Sequence, residues 1–183
     1  MCVKPVLLGP ARRTRWPVVV GVALVAGAAL WAAPQAHAGR ACDASKPVSP
    51  QVVERGMALA AQTSQALDAE HARSGAKVVL LGRAGQDLGK YGLRYSHLGW
   101  AYKTPEGPWR VTHKLNDCGT ALGHVYRQGL GEFFLDDLWR FEAVVAVPSA
   151  AVQAQLWPVL ADNARAKALH TPHYSMVSYV WGQ

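Results

Sequence analysis

Two histidines stand where imidazole chemistry would need them. His97 lies in Arg94-Tyr-Ser-His-Leu-Gly-Trp100 and His113 in Val111-Thr-His-Lys-Leu-Asn116. Both runs have strand character, and Thr104-Pro-Glu-Gly-Pro108 between them is a turn, so they read as hairpin neighbours. Adjacent strands lie about 4.8 Å apart, which lets two rings on one face touch. A base held by an orienting partner is the logic of nucleophilic catalysis. The alternative is two half-buried histidines, each satisfied by a backbone carbonyl, and spacing alone favours that plainer reading.

The other candidates are weaker. His71 falls at a helix end and reads as surface. His124 reads as structural, on a short helix. His170 and His173 flank Pro172, with no Asp, Glu or Cys at a recognised ligand spacing, so no metal site is expected. The chain has no H-E-x-x-H, Cys-x-x-Cys, G-x-S-x-G, phosphate loop or dinucleotide fingerprint. The commonest metalloprotease, redox, hydrolase and nucleotide readings lose their support, and no cofactor is expected.

The histidine strands must be held by something. Ser49-Pro50 opens a helix whose inward line is Val53, Met57, Ala60, Ser64 and Leu67, ending near His71 before Ser74-Gly75. Residues 77–83 form a mostly buried strand, and 84–92 a glycine-rich loop. Strands follow at 93–102 and 109–116, then a loop holding Cys118 and a short helix at 124–129. Phe133 and Phe134 plug the core. Residues 140–147 form a strand. Pro148-Ser149 caps a helix to about Leu160, with Val152, Leu156, Val159 and Leu160 inward. A helical turn at 164–169 and a last strand at 174–181 complete the chain. The pattern is an α+β domain, an antiparallel sheet with flanking helices.

The N-terminus is an address. Lys4, Arg12, Arg13 and Arg15 precede an apolar run of about fourteen residues, Val18 to Trp31, and then Ala36-His37-Ala38. This is the form of a secretory signal cleaved after Ala38. The run is short of the roughly 20 residues of a membrane span. The domain plan is therefore a signal at 1–38, a linker at 39–48 and one domain at 49–183. The whole chain of 183 residues carries +7. The signal holds four of its nineteen basic residues and none of its twelve acidic ones, so +3 remains. No basic stripe remains to bind nucleic acid. Cys42 and Cys118 are the two cysteines beyond the signal, and an oxidising compartment would allow a disulfide between them. A reactive Cys118 or two inert thiols are the alternatives.

Residues 75–181 resemble an uncharacterised secreted bacterial family, domain of unknown function 2145. The resemblance is carried by residues 75–83, Gln86-Asp-Leu, 93–100, 109–116, Cys118-Gly-Thr, Gly129-Leu, Phe133-Phe134 and Val147-Pro-Ser149. That family has no established activity. The order Ser96-His97-Leu-Gly, hairpin, polar second strand also resembles the permuted papain-like group, which includes NlpC-type cell-wall peptidases. That resemblance implies His97 as base, His113 as the orienting residue and a nucleophile near the C-terminus. No Cys follows Cys118; Ser175 and Ser178 occupy that region, and the chain ends at Gln183. Family members continue through a polar segment, so the resemblance implies a C-terminus cut short.

Two functions follow as expectations. One is a periplasmic or secreted amidohydrolase or peptidase-like domain centred on His97 and His113, acting on amide or ester bonds of the envelope. The other is a non-catalytic binding or structural domain. Its groove beside His97, with Tyr95, Trp100 and Trp109, would hold a peptide, glycan or lipid of the envelope. Neither reading includes nucleic acid or a membrane span after signal cleavage.

Overall fold

The computed structural model describes residues 48–117, 120–136 and 138–173. These all belong to the compact unit His37–Gln183. The element order is α1 (Pro50–Ser74), β1 (Val78–Ala84), β2 (His97–Lys103), β3 (Trp109–Asn116), β4 (Gly123–Gly129), α2 (Leu130–Phe134), β5 (Arg140–Ala146), α3 (Ala150–Ala161) and α4 (Asn163–Ala168). The five strands make one sheet, ordered β4-β3-β2-β1-β5, with every neighbouring pair antiparallel. This is the α+β architecture that the sequence pattern implies. The expected strand at 174–181 lies outside the described residues.

Helices cover both faces of the sheet. On the inner face Val79 and Leu81 of β1, Ala101 of β2 and Val111 of β3 pack with Leu67 of α1 and with Phe133 and Phe134 of α2. On the outer face Val78 and Tyr102 pack against Leu160, with Leu156 and Trp157 of α3 alongside. Six of the seven β1 residues are buried. A strand covered on both faces reads as a continuous apolar run, which is why 77–83 lacks alternation.

α1 starts as its sequence dictates. The Ser49 hydroxyl accepts from Val52 N at 3.3 Å, and Pro50 sits in the first turn, where no N–H is needed. The helix runs to Ser74, past the expected end at His71, and stops at Gly75, whose φ of 74° is left-handed. His71 is half-buried rather than on the surface. Its Nδ1 lies 2.9 Å from the Ala76 carbonyl and its ring meets Trp109 edge-on. The inward line is also shifted: Gly56, Ala60, Thr63 and Leu67 are buried, while Val53 and Met57 are exposed. Gly56 explains the shift. A Cβ there would stand 2.9 Å from the Phe134 carbonyl oxygen, so α1 approaches α2 along its smallest residue.

Three further expectations change. β2 begins at His97, not at 93, because Ser96 turns the preceding loop. Its N–H donates to the Arg83 carbonyl, and its hydroxyl accepts from Gln86 N at 2.8 Å. Residues 123–129 form β4 rather than a short helix. A helix of that length meets the full cost of nucleation for few hydrogen bonds. The free edge of β3 instead offers a ladder from Asn116↔Gly123 to Arg110↔Gly129, and Val125 and Tyr126 suit a strand. In α3 Leu160 is buried as expected, but Val152 is exposed; Trp157 takes its place, its indole N–H bonded to the Lys103 carbonyl at 2.9 Å.

Candidate active site

Four neighbouring strands place polar side chains in one line on the inner face. Arg83 of β1 is the cross-strand partner of His97 of β2. His113 of β3 lies diagonally beyond, and Gln128 of β4 diagonally beyond that, since His113 itself pairs with Tyr126 and Gln128 with Val111. Diagonal neighbours stand about 7–8 Å apart at the backbone, a gap that two long side chains close. His97 Nε2 and His113 Nδ1 are 2.8 Å apart, and His113 Nε2 and Gln128 Oε1 are 2.7 Å apart. The structure thus brings His97 and His113 together.

Gly99 is what allows it. A Cβ at Gly99 would lie 2.6 Å from Val111 Cγ1 and 3.0 Å from His113 Cβ. Alternation puts Gly99 on the same face of β2 as His97, so the space beside His113 stays open. The Ser-His-Leu-Gly run is one unit: a histidine to reach across, and a glycine to let its partner in.

The hydrogen bonds set a direction. The Gln128 carbonyl oxygen only accepts, so His113 Nε2 carries the proton and donates to it. A neutral imidazole has one N–H, so His113 Nδ1 is then the acceptor and His97 Nε2–H the donor. His97 Nδ1 is left with its lone pair, and it makes no hydrogen bond among the described residues. The chain Gln128–His113–His97 therefore orients one basic nitrogen.

Both rings are neutral. Burial pushes His97 down to about 3, and the nearby Arg83 charge adds to the effect. Burial likewise pushes His113 down to about 4, against the opposing pull of its bond to Gln128. Phe133 forms the apolar floor, its ring centroid 5.9 Å from that of His97 and 5.1 Å from that of His113. The Arg83 guanidinium, only 2% exposed, lies 4.6 Å from the centre of the same ring. It donates to the Phe133 carbonyl and to the Asp136 carboxylate. A buried cation needs that pairing to be tolerated. The sheet thus sets a fixed positive charge beside two uncharged imidazoles.

The three aromatics are not gathered beside this pair. Trp109 is buried in the inner core, its indole N–H on Asp68 at 2.9 Å. Trp100 packs on the outer face with Val78, Tyr102 and Leu160. Tyr95 lies before β2, its Cβ near Gly82. Cys42, Cys118, Ser175 and Ser178 lie outside the described residues. No cluster of three or more His, Cys, Asp or Glu side chains able to hold a metal occurs among the described residues, and no helix among them is long and apolar enough to cross a membrane.

Gln128, Arg83, Asp136 and Gly99 are site residues that the sequence reading did not single out. Alternation in His124-Val-Tyr-Arg-Gln128 was the available signal for Gln128, since a strand there puts residues 124, 126 and 128 on one face.

No curated protein and no solved structure matches the chain. One family does, over residues 70–183, a span that begins in the last turns of α1 and takes in every strand and the whole line from Arg83 to Gln128. With well over half its length inside that match, the chain belongs to the bacterial family described as "Uncharacterized protein conserved in bacteria (DUF2145)".

Proposed function

We propose that this domain is a papain-like hydrolase of amide or ester bonds in the cell envelope, with His97 as its base. The observation that carries the reading is the ordered chain Gln128–His113–His97, which ends on an Nδ1 with no hydrogen bond among the described residues. His97 Nδ1 would take the proton of a thiol, hydroxyl or water as that group attacks the carbonyl, and return it to the leaving group. His113 orients the base, and Gln128 fixes its tautomer. The permuted papain-like architecture is part of this proposal and rests on the order of His97, the hairpin and His113.

The signal-like N-terminus supports a periplasmic or secreted location. In that compartment Cys42 and Cys118 would form a disulfide. Protein recovered from the periplasm should then show no free thiol under denaturing conditions; two titratable thiols refute the pairing.

The test is turnover of peptidoglycan fragments and model amides and esters. His97→Ala should abolish it while the fold is kept, as judged by circular dichroism; unchanged turnover removes His97 from the mechanism. A second reading has one observation in its favour. No described Ser, Thr or Cys side chain is hydrogen-bonded to His97, which suits a domain that binds an envelope peptide or glycan without cleaving it. Binding of fragments with no turnover by the unmodified protein would establish that reading.

A further inference from the structure

Five of the thirteen basic side chains among the described residues are held by a carboxylate or by backbone carbonyls. Arg73 pairs with Glu70, Arg83 with Asp136, Arg94 with Glu142 and Lys103 with Asp68. Lys114 donates to the carbonyls of Thr171 and His173. Arg127 and Lys167 are among those with no ion pair among the described residues, and both are exposed; the Arg127 guanidinium lies 5.4 Å from the centre of the Tyr102 ring. They line the same cleft, between β4 at the sheet margin and α4.

The cleft has a volume of about 500 Å³, within the usual range for small-ligand sites. No acidic residue is among those lining it. His124 and His170 form walls whose ring centres are 6.3 Å apart. Each ring is fixed through Nε2: that of His170 donates to the Gly123 carbonyl at 2.8 Å, and that of His124 lies 3.0 Å from the Asp117 carboxylate. Asn163 adds an amide that can donate.

We propose that the cleft between β4 and α4 binds an anionic oxygen group, a phosphate or a carboxylate. Arg127 and Lys167 supply the charge, and Asn163 a neutral donor. Arg127 offers a planar fork suited to two oxygens at once. A transition metal on His124 and His170 is disfavoured, because the cleft offers only two imidazoles and places two cations beside them. The inference does not use His97 or its role.

The experiment is an NMR titration of the purified protein at low ionic strength with inorganic phosphate and, separately, with succinate. Saturable shifts at the amides of Arg127, Asn163 and Lys167 are expected with at least one anion, and the stronger binder identifies the ligand class. Arg127→Gln and Lys167→Gln should each weaken binding about tenfold or more. Arg165→Gln, on the same helix but outside the cleft, should leave it unchanged. Three results would each overturn the proposal: no saturable shift with either anion, equal losses from Arg165→Gln, or binding of Zn²⁺ with neither anion.

Discussion

Among the described residues the His97 ring is held through Nε2 alone, so whatever disturbs His113 also disturbs the base. Gly99→Ala is the sharpest test of that dependence. The new methyl would meet Val111 and His113 Cβ at 2.6 and 3.0 Å, and both belong to the packed sheet. Overpacking of this kind costs about 1–3 kcal/mol. Chemical denaturation should show that loss, and the hydrogen-bonded imidazole proton between His97 and His113 should disappear from the NMR spectrum. Gln128→Leu acts on the other end. It removes the acceptor that fixes the His113 tautomer and leaves a buried N–H unpaired, a loss of about 1–3 kcal/mol. Turnover, where present, should fall with it, whereas Gln128→Glu keeps an acceptor oxygen and should restore tautomeric order.

At the scale of elements, α1 and α2 meet where Gly56 faces the Phe134 carbonyl. Gly56→Val should push the helices apart and cost about 1–3 kcal/mol, read as a lowered denaturation midpoint with little change in m-value. The same contact shows why the buried face of α1 escaped the sequence reading. Helical spacing marked Val53 and Met57 as inward, but close packing of backbone against helix selects the smallest residue, and that preference is set by a partner more than seventy residues away. β3 was legible to the residue, because its alternation and flanking turn are local. β4 was not, because its conformation is decided by the unpaired edge of β3. With β4 read as a helix, Gln128 could not be placed beside His113. The hairpin allowed the His97–His113 contact, although spacing alone favoured two histidines each satisfied by a backbone carbonyl; Arg83 was visible only as the end of a buried strand, and its approach to the imidazoles depends on the sheet register.

For the whole molecule, the neutral pair links folding to pH. Both imidazoles ionise in the folded protein well below their ordinary value near 6.5, at about 3 for His97 and about 4 for His113. The unfolded chain therefore binds more protons as the pH falls below about 6.5. The stability that these groups confer is fully present above that value and is lost as the pH drops towards 4 and then 3. A loss on the order of a few kcal/mol by pH 4 should appear in denaturation curves. His97→Gln/His113→Gln should flatten the dependence between pH 4 and 6.5. The same depression shapes catalysis under the hydrolase reading. The base stays unprotonated well below pH 6, so the acid limb of a rate profile, taken over the range where the fold holds, should not fall through 6.5.

The protonation of the pair is the centre of the account, and ¹⁵N NMR of the imidazole nitrogens reads it directly. At pH 7 both rings should be neutral with the proton on Nε2, and His97 Nδ1 should show the shift of a bare, lone-pair nitrogen. That pattern should persist to pH 5. A proton on His97 Nδ1, or an imidazolium at either position by pH 6, would contradict it.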